Sequence, residues 1–204
     1  MTRRRLFFAA LGLSLAFCGP ARLAAAQEPA VATIGSFYDV LLTVMKDGQR
    51  LGFAGRRDKL APAIKKAFDL PLMTRLTVGL QWPKLSPADQ AGLVDAFSAF
   101  SIATYASRFE DYANERFEVD PTPTAVANGD LIVHSKLIQH DGSPVELDYL
   151  MRQDGGTWQI IDVYLSGTIS ELATRRSEFS DVMRRGGAAA LVNLLQQKTA
   201  ELSG

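Results

Sequence analysis

Asp148 and Asp162 are the first residues whose type and spacing could do chemistry. They fall in successive apolar segments, so a hairpin would set them on neighbouring strands, where one could act as a base within an apolar cone. Each also reads as a solvent-facing or structurally hydrogen-bonded carboxylate. His134 and His140 lie on a strand-like segment and in the turn after it, without a helical histidine pair or a carboxylate at metal-ligand spacing; no metal or other cofactor is expected. The chain has no G-x-S-x-G elbow, P-loop or dinucleotide glycine motif, and its single cysteine is Cys18. Binding is therefore the first reading and catalysis the second. For binding, Arg176 is the most informative residue. It sits on an apolar stripe, i+4 from Leu172 and i−3 from Phe179, and a buried guanidinium needs an anion. That anion is either a structural carboxylate or a head group at the mouth of a cavity.

The elements that must position these groups follow from periodicity. Residues 155–187 read as a turn, an apolar strand over 158–165, a break at Ser166-Gly167, and an amphipathic helix with Thr168 and Glu171 as its capping box, ended by Gly186-Gly187. A strand running directly into a helix can lay that helix across the sheet. Before it, Val145, Leu147, Tyr149 and Met151 alternate with polar residues, and residues 131–138 read as one strand with Leu131, Val133, Ser135 and Leu137 on one face. Asn128-Gly129 and Asp154-Gly155-Gly156 are turn signals.

Upstream, the pattern is helical. Ile34, Phe37, Tyr38, Leu41 and Met45 share one face, residues 50–57 read as a polar loop, a short helix follows over 58–67, and Asp69-Leu70-Pro71 opens another through Leu72, Met73, Leu76 and Leu80. Ser86-Pro87-Ala88-Asp89 starts a helix expected to reach Tyr112, its apolar side carrying Phe97, Tyr105 and Phe109 with small residues between them. Three or four antiparallel strands with helices before and after them make the fold class α+β.

Arg3-Arg4-Arg5, an apolar run over 6–17 and Ala24-Ala25-Ala26 have the form of a secretory signal peptide. The expected organisation is a cleaved signal at 1–26 and one domain over 27–204. Cleavage takes four arginines and no acids from 22 basic and 22 acidic residues, leaving a net charge of about −4, which disfavours nucleic acid as a partner. It also removes Cys18, so the exported chain has no disulfide and no thiol chemistry. A monomer with 47% hydrophobic residues overall can rely on its core.

The segments FDLPLMTRLTVGLQWPKLSPADQ, VHSKLIQHDGSPVELDYLMRQDGGTWQIIDVYLSGTIS and RRSEFSDVMRRGGAAALVNLLQQK resemble the MlaC, or toluene-tolerance, family of periplasmic lipid-binding proteins. The wording TISELATRRSEF resembles its hopanoid-biosynthesis-associated, HpnM-like branch. The resemblance covers essentially the whole mature chain. It maps the family's D-V-x-x-x-G block onto Asp162-Val163 and Gly167, and its R-R-G-G end onto residues 184–187; Thr174 stands where the family has a tyrosine.

The resemblance implies an NTF2-like fold, a curved antiparallel sheet of about four strands packed against several helices and enclosing an apolar cavity. It also implies a periplasmic shuttle that carries a phospholipid or hopanoid-type lipid between membrane-bound transport proteins of the inner and outer membranes. The expected lipid-contacting residues are Phe97, Tyr105, Phe109, Val133, Leu137, Leu147, Tyr149, Met151, Ile161, Val163, Leu165, Ile169 and Leu172, with Arg176 at the head group. Two other readings compete with the carrier. One is an NTF2-like enzyme on a hopanoid or terpenoid lipid with Asp148 or Asp162 as base; the other is a lipid-free periplasmic adaptor with a filled core.

Overall fold

The computed structural model describes residues 20–203. Most of the expected signal peptide, residues 1–19, lies outside the described residues. Helix α1 (Pro20–Lys46) turns the predicted face inward: Ile34, Phe37, Tyr38, Leu41 and Met45 are all buried. Helix α2 (Gly48–Ala67) corrects the expected loop at 50–57. The segment is helical on both sides of a kink at Gly52, whose φ of 59° is left-handed. Burial of Arg56 explains the difference. Its Nε donates to the Ala106 carbonyl at 2.7 Å and its Nη1 to the Gly48 carbonyl at 3.0 Å. A residue that reads as polar surface thus ties α2 to a distant helix.

Helix α3 (Leu70–Val78) is capped by Asp69, which accepts from the Leu72 N–H at 2.9 Å, and continues as a 3-10 turn over Gly79–Lys84. Helix α4 (Pro87–Arg108) starts where predicted, with Ser86 accepting from the Asp89 N–H at 3.1 Å. Such a cap contributes about 1 kcal/mol. The helix ends four residues short of the expected Tyr112, because Phe109 has φ −114° and ψ 56° and turns the chain away.

The strands are β1 (Arg116–Val119), β2 (Thr124–Ala125), β3 (Leu131–Val133), β4 (Ser135–Ile138), β5 (Pro144–Asp154), β6 (Thr157–Leu165) and β7 (Ile169–Ser170). Every pairing between them is antiparallel. Strand β5 is the spine: β3 and β4 pair along one edge and β6 along the other. The single strand expected over 131–138 is interrupted at His134, yet both halves keep one register against β5, with Val133 opposite Tyr149 and Lys136 opposite Glu146. The sheet curls into a half-barrel with α1 to α4 and the last helix packed around it.

That last helix, α5 (Glu171–Glu201), starts later than predicted. Ser170, not Thr168, is its N-cap and accepts from the Ala173 N–H at 2.8 Å, because residues 169–170 are held as β7 against Tyr164 and Leu165. At Gly187, φ 67° and ψ −162° break α5 into two limbs, as the paired glycines predicted. The buried apolar residues from Ala30 to Leu195 form one continuous core.

Candidate functional site

Under the first turns of α5 lies an apolar cavity of about 120 Å³. Its floor is the inner face of the sheet, Leu147 and Tyr149 from β5 with Val163 and Leu165 from β6. Alternation along a strand puts these four on one side. Helix α4 supplies one wall with Phe97, Phe100, Ser101, Thr104, Tyr105 and Arg108, followed by Phe109 just past its end. The opposite wall is Ile64 from α2, Phe68 after it, and Leu70 and Met73 from α3; Glu171, Leu172 and Arg175 close it from α5. Tyr105 packs edge-on against Phe37 and Phe68 and stacks on Phe109 with ring centres 5.7 Å apart. This aromatic cluster stiffens the inner end.

The structure brings eight of the fourteen expected site residues to this cavity: Phe97, Tyr105, Phe109, Leu147, Tyr149, Val163, Leu165 and Leu172. The other six lie elsewhere. Val133 and Met151 are fully buried in the core, and Leu137 is a half-buried residue packed against it. Ile161 is displaced by a β-bulge. The register passes from Leu150 opposite Asp162 to Met151 opposite Ile160, leaving Ile161 as the extra residue. Ile160 thus takes the place beside Met151 that simple alternation assigns to Ile161. Ile169 is 55% exposed, since it belongs to β7 at the edge of the sheet rather than to the helix.

Arg176 is exposed and outside the cavity. It lies over Gly79, in a shallow hollow with Arg75, Leu76, Leu80, Trp82 and Pro83, and among the described residues it has no ion pair. The arginine at the cavity is its neighbour. Arg175 rests over the Phe100 ring, 4.7 Å from its centre, with Glu171 and Glu178 at 3.8 and 3.6 Å. The sequence did carry this signal: Leu172, Arg175, Phe179 and Val182 form a stripe once Ile169 is removed from the helix. The wall from α2 and α3 was missed because Ile64, Phe68, Leu70 and Met73 are split between two short elements, neither periodic for long enough to show a face.

The family model of the MlaC protein matches residues 36–197. The chain belongs to the MlaC family. Among curated proteins none gives a significant sequence match. A solved structure, the phospholipid-binding protein from Ralstonia solanacearum in complex with a phospholipid, is similar with 27% identity and a TM-score of 0.72. The match covers 86% of this chain and 99% of that one. The α+β, NTF2-like architecture expected from the resemblance is the one observed.

In this MlaC-family fold the two candidate acids are accounted for by other groups. Asp162 is buried on the face of β6 away from the cavity. Its Oδ1 accepts from the Val163 N–H at 2.7 Å and the Leu172 N–H at 3.0 Å, and its Oδ2 accepts from Ser170 Oγ at 2.6 Å. The carboxylate thereby fastens β6 to the N-terminus of α5, where backbone N–H groups favour a negative charge. Asp148 lies 3.1 Å from His134 Nδ1, and His134 Nε2 is 2.9 Å from Thr124 Oγ1. His134 and Asp148 line a larger, more polar groove of about 510 Å³ on the outer face, with Glu118, Asp120, Lys136 and Glu146. Volume favours that groove and chemistry favours the inner cavity; for an apolar ligand the apolar walls decide.

Beneath the cavity a polar cluster joins α1 to the sheet. Tyr38 Oη lies 3.0 Å from Tyr149 Oη and 2.6 Å from Ser135 Oγ, and Ser135 donates to the Leu147 carbonyl. Burial pushes the Tyr38 phenol up to about 12 against the opposing pull of its Ser135 hydrogen bond. Burial also raises Tyr105 and Tyr149; Tyr38 adds to both shifts, while the hydrogen bond from Tyr149 opposes that of Tyr105. Among the described residues there is no cluster of metal-ligating side chains and no helix long and apolar enough to cross a membrane.

Proposed function

We propose that this protein is a periplasmic lipid carrier that takes a phospholipid or a hopanoid-type lipid from a membrane-bound partner on one membrane and delivers it to a partner on the other. The observation that carries the reading is the apolar cavity between the sheet and α4, α3 and α5, in a chain that belongs to the MlaC family and resembles a relative described as phospholipid-binding. MlaC proteins work in the periplasm, and the signal-like segment at 1–26 is consistent with that destination.

The physics of such a carrier is a balance. Burying an acyl chain contributes about 0.8 kcal/mol per methylene relative to water, so two long chains approach the ceiling of roughly 20 kcal/mol for non-covalent affinity. Escape into water is negligible, whereas exchange with a bilayer, another apolar medium, is nearly neutral. Direction then comes from partners that open the protein. A cavity of about 120 Å³ is below the roughly 300–1,000 Å³ of typical ligand pockets. Taking up a whole lipid therefore requires the first limb of α5 to part from α4 and α3.

The test is mass spectrometry of an organic extract of the protein purified under native conditions, with the same protein then mixed with labelled vesicles. A stoichiometric lipid, identified by its mass, is expected. A folded protein that carries no lipid and takes none from vesicles overturns the reading and leaves the adaptor in its place.

A further inference from the structure

Arg176 stands outside the cavity with no anion beside it, on a part of the surface with a character of its own. Helix α3 ends at Gly79, whose φ of 64° and ψ of −130° lie in a region that favours glycine and whose N–H donates to the Arg75 carbonyl. The chain turns outward there, and Leu80 is 84% exposed, more than any other large hydrophobic among the described residues. Trp82 follows in the same 3-10 turn, half-buried. Its carbonyl accepts from Gln90 Nε2 at 2.9 Å and from the Leu85 N–H at 3.2 Å. The projecting leucine is thus displayed on a turn that is fixed at both ends.

The charges around Leu80 share one sign. Residues 70–85 contain Arg75 and Lys84 and no aspartate or glutamate. Helix α5 adds Arg176, so close over Gly79 that a Cβ there would meet its Nη2 at 3.2 Å and its Nε at 3.3 Å. All three cations are exposed, and among the described residues none has a carboxylate within 4 Å or a side-chain hydrogen bond. Both arginines line one hollow with Leu80 and Trp82. In an exported chain of net charge about −4, this is a local reversal of sign around an apolar side chain that faces water. An anionic bilayer repels the chain as a whole and attracts this face.

We propose that Leu80 and Trp82, with Arg75, Lys84 and Arg176 around them, form a docking surface for an anionic lipid bilayer, through which the protein itself rests on a membrane. Leu80 enters the apolar boundary, the indole of Trp82 lies at the level of the head groups, and the cations face lipid phosphates. A projecting apolar side chain flanked by cations suits a fluid surface, which needs no matching pocket. One leucine and three cations give weak, reversible adsorption, which holds the protein at a membrane without trapping it there. The surface acts apart from the cavity and its cargo.

The experiment floats the mature protein through a density gradient with vesicles of phosphatidylcholine alone, or of equal parts phosphatidylcholine and phosphatidylglycerol. The readout is the fraction of protein that rises with the vesicles. At about 0.1 M salt, where screening confines attraction to about 10 Å, the unaltered protein is expected to partition at least about tenfold more strongly onto the anionic vesicles, since each cation near such a surface is worth about fivefold. It should come off at about 1 M salt. Arg75→Gln and Arg176→Gln should each weaken the partition about fivefold and Leu80→Ser about tenfold. Arg116→Gln, which takes the same charge from β1 where it pairs with Glu118 at 3.0 Å, should change it by less than about twofold. Trp82 supplies a second readout. The chain has two tryptophans and Trp158 is only 4% exposed, so quenching by bromine on the acyl chains, reversed at high salt, marks Trp82 at the bilayer. The substituted residues are all exposed, and circular dichroism melting checks that each variant is folded. No flotation with anionic vesicles, equal flotation with both compositions, or flotation that survives all three patch substitutions overturns the docking surface. Lipid uptake by a protein that does not float overturns the surface and leaves the carrier standing. Salt-sensitive flotation with no lipid taken up supports the surface and overturns the carrier.

Discussion

At the scale of single residues, Asp162 shows how a candidate catalytic group becomes a joint. Its three donors come from Val163, Ser170 and Leu172, and removing the carboxylate leaves them without partners. Asp162→Ala should lower the unfolding free energy by about 2–4 kcal/mol, from the usual cost of orphaned donors to a charged acceptor. Urea denaturation measures it, and a loss below about 0.5 kcal/mol, the level of an ordinary surface substitution, would show that the joint carries no load. Leu147 makes a second prediction, because it is on the cavity floor and only 8% exposed. A carboxylate there opposes any acyl chain. Leu147→Asp should lose co-purifying lipid while keeping its far-ultraviolet spectrum; unchanged lipid content in a folded variant would remove this face from the site. The residues also show where sequence reading reached its limit. Leu147, Tyr149, Val163 and Leu165 were legible by alternation, whereas Ile161 was not, since a bulge is a local backbone choice that hydrophobicity does not encode. Arg175 was obscured by Arg176 only because Ile169 was counted as helical.

At the scale of elements, the helix boundaries set by capping residues were readable and those set by tertiary contact were not. Ser86 and Asp69 start helices in the structure as their chemistry requires, while α2 continues through 50–57 because Arg56 finds backbone carbonyls on both α4 and its own N-terminus. Helix α5 depends on Gly187, whose φ 67° and ψ −162° lie in a region open essentially only to glycine. Gly187→Ala should therefore cost about 1–3 kcal/mol in a thermal or urea melt. Gly35 in α1 is the contrast, with open space where a Cβ would go and no positive φ. Gly35→Ala should be neutral or stabilise by about 0.5–1 kcal/mol. Equal effects of the two substitutions would mean that the break in α5 is not enforced by its backbone.

At the scale of the whole molecule, the phenols of buried Tyr38 and Tyr149 and of half-buried Tyr105 make stability depend on alkali. The folded pKa of Tyr38 is about 12 against an ordinary 10.0, so its contribution is fully present below about pH 10 and is lost as pH rises from there through the folded value. Each unit of difference corresponds to about 1.4 kcal/mol. Tyr105 and Tyr149 are raised in the same direction and act with the same sign. The phenolate absorbance of these three residues should appear together with loss of tertiary structure above pH 10, and Tyr38→Phe should flatten the fall in stability over that range. Phenolates of all five tyrosines forming while the protein stays folded would contradict the buried cluster. The α+β class was legible at this scale from the order of the periods, helical and then alternating and then helical. The position of the cavity was not, because it depends on how α2 and α3 close over a curled sheet.

The same tyrosine cluster also orders events in time. Tyr38 meets Ser135 and Tyr149 across 97 and 111 residues of chain, so α1 cannot dock on the sheet until β4 and β5 exist and a long loop has been closed. The first helix to emerge is therefore among the last pieces to lock. Until then the face bearing Ile34, Phe37 and Leu41, all buried in the finished molecule, is a sticky surface on a nascent chain, open to chaperones and to other copies alike.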